Sequence, residues 1–338
     1  MIETISIDIT YDCNLRCLHC FNSSGEHGDR RKIMSDEEIF NIVKDIVKLK
    51  PKSLCFCGGE TMIRKDLIIK CCKYINKILG KKISVAAVSN GLLMNDLLAK
   101  ELKAAGMNSI QISLDGAKAE THDWLRNKRG AFDKAVNAIK ILKANKLNVG
   151  VAFTPTKKNI SELNDAFEFA KSMGVFTFRV QPIMLLGRAK RNLYNYIPSY
   201  TEYMKLRFNL LTKQKEELNK SVHIEWGDPL MHLVKGRSKN EPLDYLTING
   251  YGDLLVSPYM PVSVGNIRQT SIFKYIDAGL LSIWQNDFIQ KLALKMDSWD
   301  NMDLSKFGFP EIFLEDNINM DILKEDSKMV LQKYQQLL

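Results

Sequence analysis

The stretch Ile5-Ser6-Ile7-Asp8-Ile9-Thr10-Tyr11-Asp12-Cys13-Asn14-Leu15-Arg16-Cys17-Leu18-His19-Cys20 decides how the rest of the chain is read. Its first five residues alternate apolar and polar, the period of a β-strand, so the three cysteines fall on the loop leaving a strand's C-terminal end. That is where α/β sheets and barrels carry their chemistry. Three thiolates on one short loop can wrap a metal centre. A structural zinc ion needs a fourth ligand, and His19 is poorly placed to serve beside its neighbour Cys20. An iron–sulfur cube held by only three thiolates keeps one iron open, and an open iron can bind a second molecule.

The chain has 338 residues and 45% apolar content, enough for one large domain with an appendage or for two domains. No apolar run is long enough to span a bilayer, and the N-terminus enters a strand pattern without a basic start and apolar stretch. A soluble cytoplasmic protein with no membrane partner is expected. All seven cysteines (Cys13, Cys17, Cys20, Cys55, Cys57, Cys71 and Cys72) lie in the first 72 residues, which in a reducing compartment suggests metal binding rather than a disulfide framework. The net charge of +9 would suit an acidic partner. Much of the lysine is interleaved with acids, as in Lys213, Lys215 and Lys220 around Glu216 and Glu217, and reads as a solvated helix face, so the charge does not point to nucleic acid.

Outward from the cysteines, Ser35-Asp36-Glu37-Glu38 is a capping box before Ile39, Ile42, Val43, Ile46 and Val47 at helical spacing. A strand Ser53-Leu54-Cys55-Phe56-Cys57 runs into Gly58-Gly59-Glu60, where paired glycines permit close backbone approach to a ligand. Cys57, Cys71 and Cys72 are read as space-filling thiols. Further strands are expected at Ile83 to Val88, Ser109 to Leu114, Leu147 to Thr154 and Val175 to Gln181. Helices are expected near Asp96 to Ala104, Phe132 to Ala144 and Ser161 to Met173. That makes six βα units in about 190 residues, joined as parallel strands by right-handed crossovers.

The Cys-x3-Cys-x2-Cys spacing resembles that of the radical S-adenosylmethionine (SAM) superfamily, as do Gly58-Gly59-Glu60 and the segment Gln181-Pro182-Ile183-Met184-Leu185-Leu186-Gly187-Arg188-Ala189. The resemblance implies an α/β fold, a partial (β/α)6 barrel. It also implies one [4Fe-4S] cluster ligated by Cys13, Cys17 and Cys20, whose open iron chelates SAM. An electron then splits the sulfonium to a 5′-deoxyadenosyl radical, which takes a hydrogen atom from the substrate. By the same resemblance Gly58, Gly59 and Glu60 meet the methionine end of SAM, and Ser113 and Arg126 hold its ribose and carboxylate. Thr154 and Leu185 lie near the adenine, as does His19, where the family usually has an aromatic residue. Ser89-Asn90 and Asp115, at the ends of the third and fourth strands, supply further contacts. A hydroxyl suits ribose and a guanidinium can fork onto a carboxylate.

A boundary near Lys190 divides residues 1–190 from a smaller α+β part, residues 191–338. There a helix is expected at Tyr200 to Leu218, a short strand at Val222 to Trp226, and a hairpin across Leu246 to Pro258 with a glycine-rich turn. Val264-Gly265-Asn266-Ile267 and a helix ending near Trp284 follow, then a terminal helix within Asp316 to Leu338. This part resembles the SPASM/Twitch extension, but Ser257, Pro258 and Tyr259 stand where full members carry auxiliary-cluster cysteines. The extension therefore holds no second cluster and binds substrate or covers the barrel mouth. His223, Glu225, Asp228 and His232 read as turn and surface residues rather than a metal group, and Tyr251 and Tyr259 as packing rather than hydrogen-atom relays.

No catalytic side chain is singled out. The resemblance implies maturation of a ribosomally made peptide, although no separate leader-binding domain precedes the first strand. Cofactor or small-metabolite synthesis is the alternative, and a zinc-stabilised binding protein the rival of another class. A reducing donor such as flavodoxin or ferredoxin is implied.

Overall fold

The computed structural model describes residues 2–217, 222–229, 233, 242–260, 262–295 and 317–335. The expected alternation is present. Strands β1 (Thr4–Thr10), β2 (Ser53–Gly58), β3 (Ser84–Ser89), β4 (Ser109–Ser113), β5 (Asn148–Phe153) and β6 (Thr177–Val180) lie side by side in chain order, every pair parallel. Helices α1 (Asp36–Leu49), α2 (Lys65–Leu79), α3 (Asp96–Ala105), α4 (Ala119–Arg126), α5 (Ala131–Ala144) and α6 (Leu163–Ser172) make the crossovers. Ser35 caps α1 in the predicted capping box, and Asn95 caps α3 through the Leu98 N–H.

One helix escaped the sequence reading. In α4 the apolar pattern is thin (Ala-Glu-Thr-His-Asp-Trp-Leu-Arg), so periodicity did not announce it, yet its last turn buries Leu125 and Arg126.

The two faces of the sheet differ. On one, Ile5, Ile7, Leu54, Phe56, Ile110, Ile112, Val149 and Val151 are fully buried beneath the helices. The other carries small and polar side chains, with Ser6 and Asp8 on β1, half-buried Cys55 and Cys57 on β2, Gln111 on β4 and Arg179 on β6. Strand alternation thus turns one face to the apolar core and leaves a polar face for a ligand.

Beyond β6 come α7 (Gly187–Leu193) and α8 (Tyr200–Glu216), then β7 (His223–Trp226), which pairs parallel with β6. On the far side β8 (Tyr245–Ile248) pairs parallel with β1, and β9 (Asp253–Leu255) folds back on β8 as the expected hairpin. There follow β10 (Val262–Asn266), α9 (Ile272–Asp277), α10 (Asp287–Lys295), β11 (Ile318–Asn319) and α11 (Ser327–Lys333). The described strands form one eleven-stranded sheet in the order β11-β10-β9-β8-β1-β2-β3-β4-β5-β6-β7. Lys190 lies within α7, and the strands after it extend the same sheet at both edges. No helix among the described residues is long and apolar enough to cross a membrane. Leu218, Lys220, His232, Asp316 and Leu338 lie outside the described residues.

Candidate active site

The cysteine loop leaves β1 at Thr10 and is gripped from three sides. From β2, Gly59 N–H donates to Thr10 O (2.7 Å) and Glu60 N–H to Asp12 O (2.9 Å). A Cβ on Gly58 would stand 2.2 Å from Thr10 O, and one on Gly59 2.2 Å from Asp12 O. The glycine pair therefore answers to the loop backbone as well as to any ligand.

From α7, Gly187 adopts φ +53 and Arg188 N–H donates to Cys20 O (3.0 Å). The buried Arg188 guanidinium donates to Cys17 O (3.0 Å) and Ser24 O (2.9 Å) and pairs with Glu26 (3.1 Å). From α4, Leu125 O accepts the Leu18 N–H (2.9 Å). Inside the loop, Asn22 Oδ1 accepts from Ser24 N (3.1 Å) and the Cys20 thiol (3.0 Å), while its amide donates to Gly58 O (3.3 Å).

Cys17 is buried and Cys13 and Cys20 half-buried, and none of the three is in a disulfide. Burial pushes the Cys17 thiol up to about 11, against the pull of Arg126, and the neighbouring Cys20 and Cys13 add to the rise. Burial likewise raises Cys13. Among the described residues no three His, Cys, Asp or Glu side chains are grouped to close on a single metal ion. A zinc ion needs ligands drawn to about 2.3 Å of one centre, whereas a cube takes each thiolate at a different iron.

Around the trio the chain leaves polar atoms unmatched. His19 Nδ1 and Arg126 Nε are buried without a hydrogen-bond partner. Burial, then the Arg126 charge, drives His19 down to about 3, so its ring is neutral. Arg126 Nη2 pairs with the fully buried Asp115 at 2.7 Å, and Nη1 reaches Cys17 Sγ at 3.8 Å. Asp115 Oδ1 accepts from Thr154 N (2.9 Å), and Asn159 binds the carbonyls of Asp115 and Thr154. Burial pushes the Asp115 carboxyl up, but the Arg126 guanidinium, with the Thr154 N–H beside it, holds it below the usual range. Buried donors and acceptors without partners are rare, and their gathering beside Cys17 fits a polar cofactor.

Most of the residues expected at the SAM site lie at the C-terminal ends of β2 to β5, with His19 on the loop after β1 and Arg126 in the last turn of α4. Glu60 is buried, and its carboxylate already accepts from Met62 N (3.1 Å), Ser89 Oγ (2.8 Å) and Asn90 N (2.8 Å). Asn90 also binds Asn14 Oδ1 at 2.7 Å. Ser113 ends β4, Thr154 follows β5, and Leu185 precedes α7. Arg126, assigned by resemblance to the SAM carboxylate, is engaged by Asp115 and Cys17, with its Nε still to spare.

Cys71 and Cys72 pack within α2 as expected. Cys55 and Cys57 instead lie on the polar face, their sulfurs 3.5 Å apart, beside Asp8. Tyr251 packs on Tyr11, with ring centroids 5.4 Å apart, and Gln181 donates to Tyr259 Oη at 2.6 Å. His223 stands 3.5 Å from Glu225, and Asp228 accepts from Trp226 Nε1 (3.3 Å).

Sequence reasoning missed Arg188, Asn22, His122 and Asp8. Arg188 was quoted only as part of a motif, and nothing in sequence announces that a guanidinium will bind carbonyls 164 and 171 residues away.

A parallel sheet whose first strand delivers three thiols to this loop defines the chain as a radical SAM enzyme. Residues 7–170 match the model of the Radical SAM superfamily, and the chain belongs to that superfamily. Its cofactors are those of the family, SAM and a [4Fe-4S] cluster. The chain is 24% identical to the AdoMet-dependent heme synthase of Methanosarcina barkeri, over 78% of this chain and 79% of the relative. It is 26% identical to the mycofactocin maturase MftC of Mycolicibacterium smegmatis, over 82% and 69% respectively. The fold is similar to that of anSMEcpe, solved with AdoMet and a peptide bound, with a TM-score of 0.65 and 18% identity across 99% of this chain and 97% of the other.

Proposed function

We propose that Cys13, Cys17 and Cys20 ligate the cluster, that SAM lies across the strand ends from Glu60 to Thr154, and that the substrate is a ribosomally synthesised peptide. When bound, the cluster and SAM supply a carbon radical that removes a hydrogen atom from the substrate. Glu60, fixed by Ser89, Asn90 and Met62, presents a carboxylate to the methionine end. Arg126 Nε and Ser113 hold the rest of SAM. The neutral His19 ring packs at the adenine with Thr154 and Leu185, adding no charge there.

The observation that carries this reading is the convergence of three thiols with the unpartnered His19 Nδ1 and Arg126 Nε at one end of the sheet. The substrate enters along the polar face, where Asp8, Arg179 and Gln181 offer hydrogen bonds. Residues 191–338 act as a SPASM-like extension without a second cluster. A flavodoxin or ferredoxin delivers the electron in the cytoplasm.

Peptide maturation draws support from the mycofactocin maturase. The heme synthase favours a second reading, in which the substrate is a small metabolite. Reduced, cluster-loaded protein incubated with peptides encoded beside its gene is expected to change a peptide's mass in step with 5′-deoxyadenosine formation. Deoxyadenosine coupled instead to a change in a porphyrin or another metabolite would overturn the peptide assignment.

A further inference from the structure

We infer that Arg126, fixed by Asp115, sets the reduction potential of the cluster by holding its guanidinium against the Cys17 sulfur. This rests on the reading of Cys13, Cys17 and Cys20 as cluster ligands. Arg126 occupies the last turn of α4, which Asn127 closes in a left-handed conformation and which binds the cysteine loop through Leu125 O. One guanidinium nitrogen, Nη2, lies 2.7 Å from Asp115, and another, Nη1, lies 3.8 Å from Cys17 Sγ. Asp115 is itself held by the Thr154 N–H, so the guanidinium cannot swing away without breaking a buried pair.

The result is a buried dipole with its positive end at a ligand sulfur. Reduction adds negative charge to the cluster, and hydrogen bonds and positive charge at its sulfurs favour the reduced form, most strongly where water is excluded. The other groups around the trio do not duplicate this. Arg188, the other buried guanidinium at this loop, is spent on the carbonyls of Cys17 and Ser24 and on Glu26, and Glu60 lies on the Cys13 side as an acid.

The test is an EPR-monitored redox titration of anaerobically reconstituted full-length protein, run without SAM so that any contact between Arg126 and SAM is silent. Arg126→Gln leaves the Asp115 charge uncompensated and is expected to lower the reduced fraction at fixed potential about tenfold, equivalent to about 59 mV for one electron. Asp115→Asn removes the opposing charge and is expected to shift the ratio the other way. Arg126→Lys keeps the charge but cannot span both partners, and is expected to fall between the wild type and Arg126→Gln. If Arg126→Gln takes up no iron, the Asp115→Asn and Arg126→Lys pair decides the matter. Unchanged midpoints, shifts of one sign in both charge variants, or shifts seen only with SAM present would overturn the inference while leaving the cluster assignment standing. Wild-type protein that binds no iron would instead overturn the assignment and the inference with it.

Discussion

Asp8 is the buried acid least explained by the fold. It faces the polar side of β1 opposite Cys57, accepts a hydrogen bond from the Tyr11 hydroxyl at 2.9 Å, and has no cation at hand among the described residues. Burial raises its carboxyl to about 7, against the pull of Tyr11. Between the unfolded value of 3.8 and about 7 the native state therefore keeps a proton that the unfolded chain has released. Stability must fall as pH rises through that window, by at most on the order of 4 kcal/mol. Asp8→Asn is expected to flatten the fall and to melt above the wild type at pH 8; an unchanged pH dependence of Tm would show that Asp8 is not the group responsible. Arg188 tests the loop instead. Its removal leaves Cys17 O and Ser24 O buried without their donor, and Arg188→Ala should cost about 1–3 kcal/mol. Iron retention after gel filtration should drop with the denaturation midpoint.

At the level of elements, the cysteine loop is shaped by neighbours that arrive from far along the chain. The turn of the β8–β9 hairpin brings Gly250 N–H to the Tyr11 hydroxyl (3.0 Å), and a Cβ on Gly250 would stand 2.9 Å from the Tyr11 ring. Asn249 closes that turn by accepting from Tyr251 N (3.0 Å) and Asp253 N (2.9 Å). On the other flank, a Cβ on Gly187 would lie 2.4 Å from Phe21 O, and its φ of +53 already disfavours side chains. Gly187→Ala should therefore lose about 1–3 kcal/mol more than Gly130→Ala, which also has positive φ but meets nothing within 4 Å. Equal losses in thermal melts would mean that the close approach is unimportant.

Much of this was legible beforehand because strands and crossover helices carry strong periodicity, and because the cysteine spacing is specific. Strands β1 to β6 and the hairpin lie within a few residues of expectation. Helix α4 was not legible, since its polar sequence buries only one edge, and neither was the grip of Arg188, which depends on tertiary approach rather than local pattern.

For the molecule as a whole, the division near Lys190 does not interrupt the sheet. The extension supplies both edges, β7 beside β6 and β8 beside β1, and its hairpin braces the loop that holds the thiols. Catalytic loop and extension are therefore expected to lose structure together. Limited proteolysis of an Asn249→Ala variant checks this, with cleavage in the 11–28 loop rising alongside cleavage in the hairpin; cleavage confined to the hairpin would contradict it. The central claim is that three thiols on one loop hold a cube whose vacant corner takes SAM. Its most direct measurement is anoxic reconstitution with iron and sulfide, followed by strong reductant and SAM. The wild type should bind about four irons and release 5′-deoxyadenosine, and Cys17→Ala should do neither. A colourless wild type, or SAM left intact under reduction, would contradict the account.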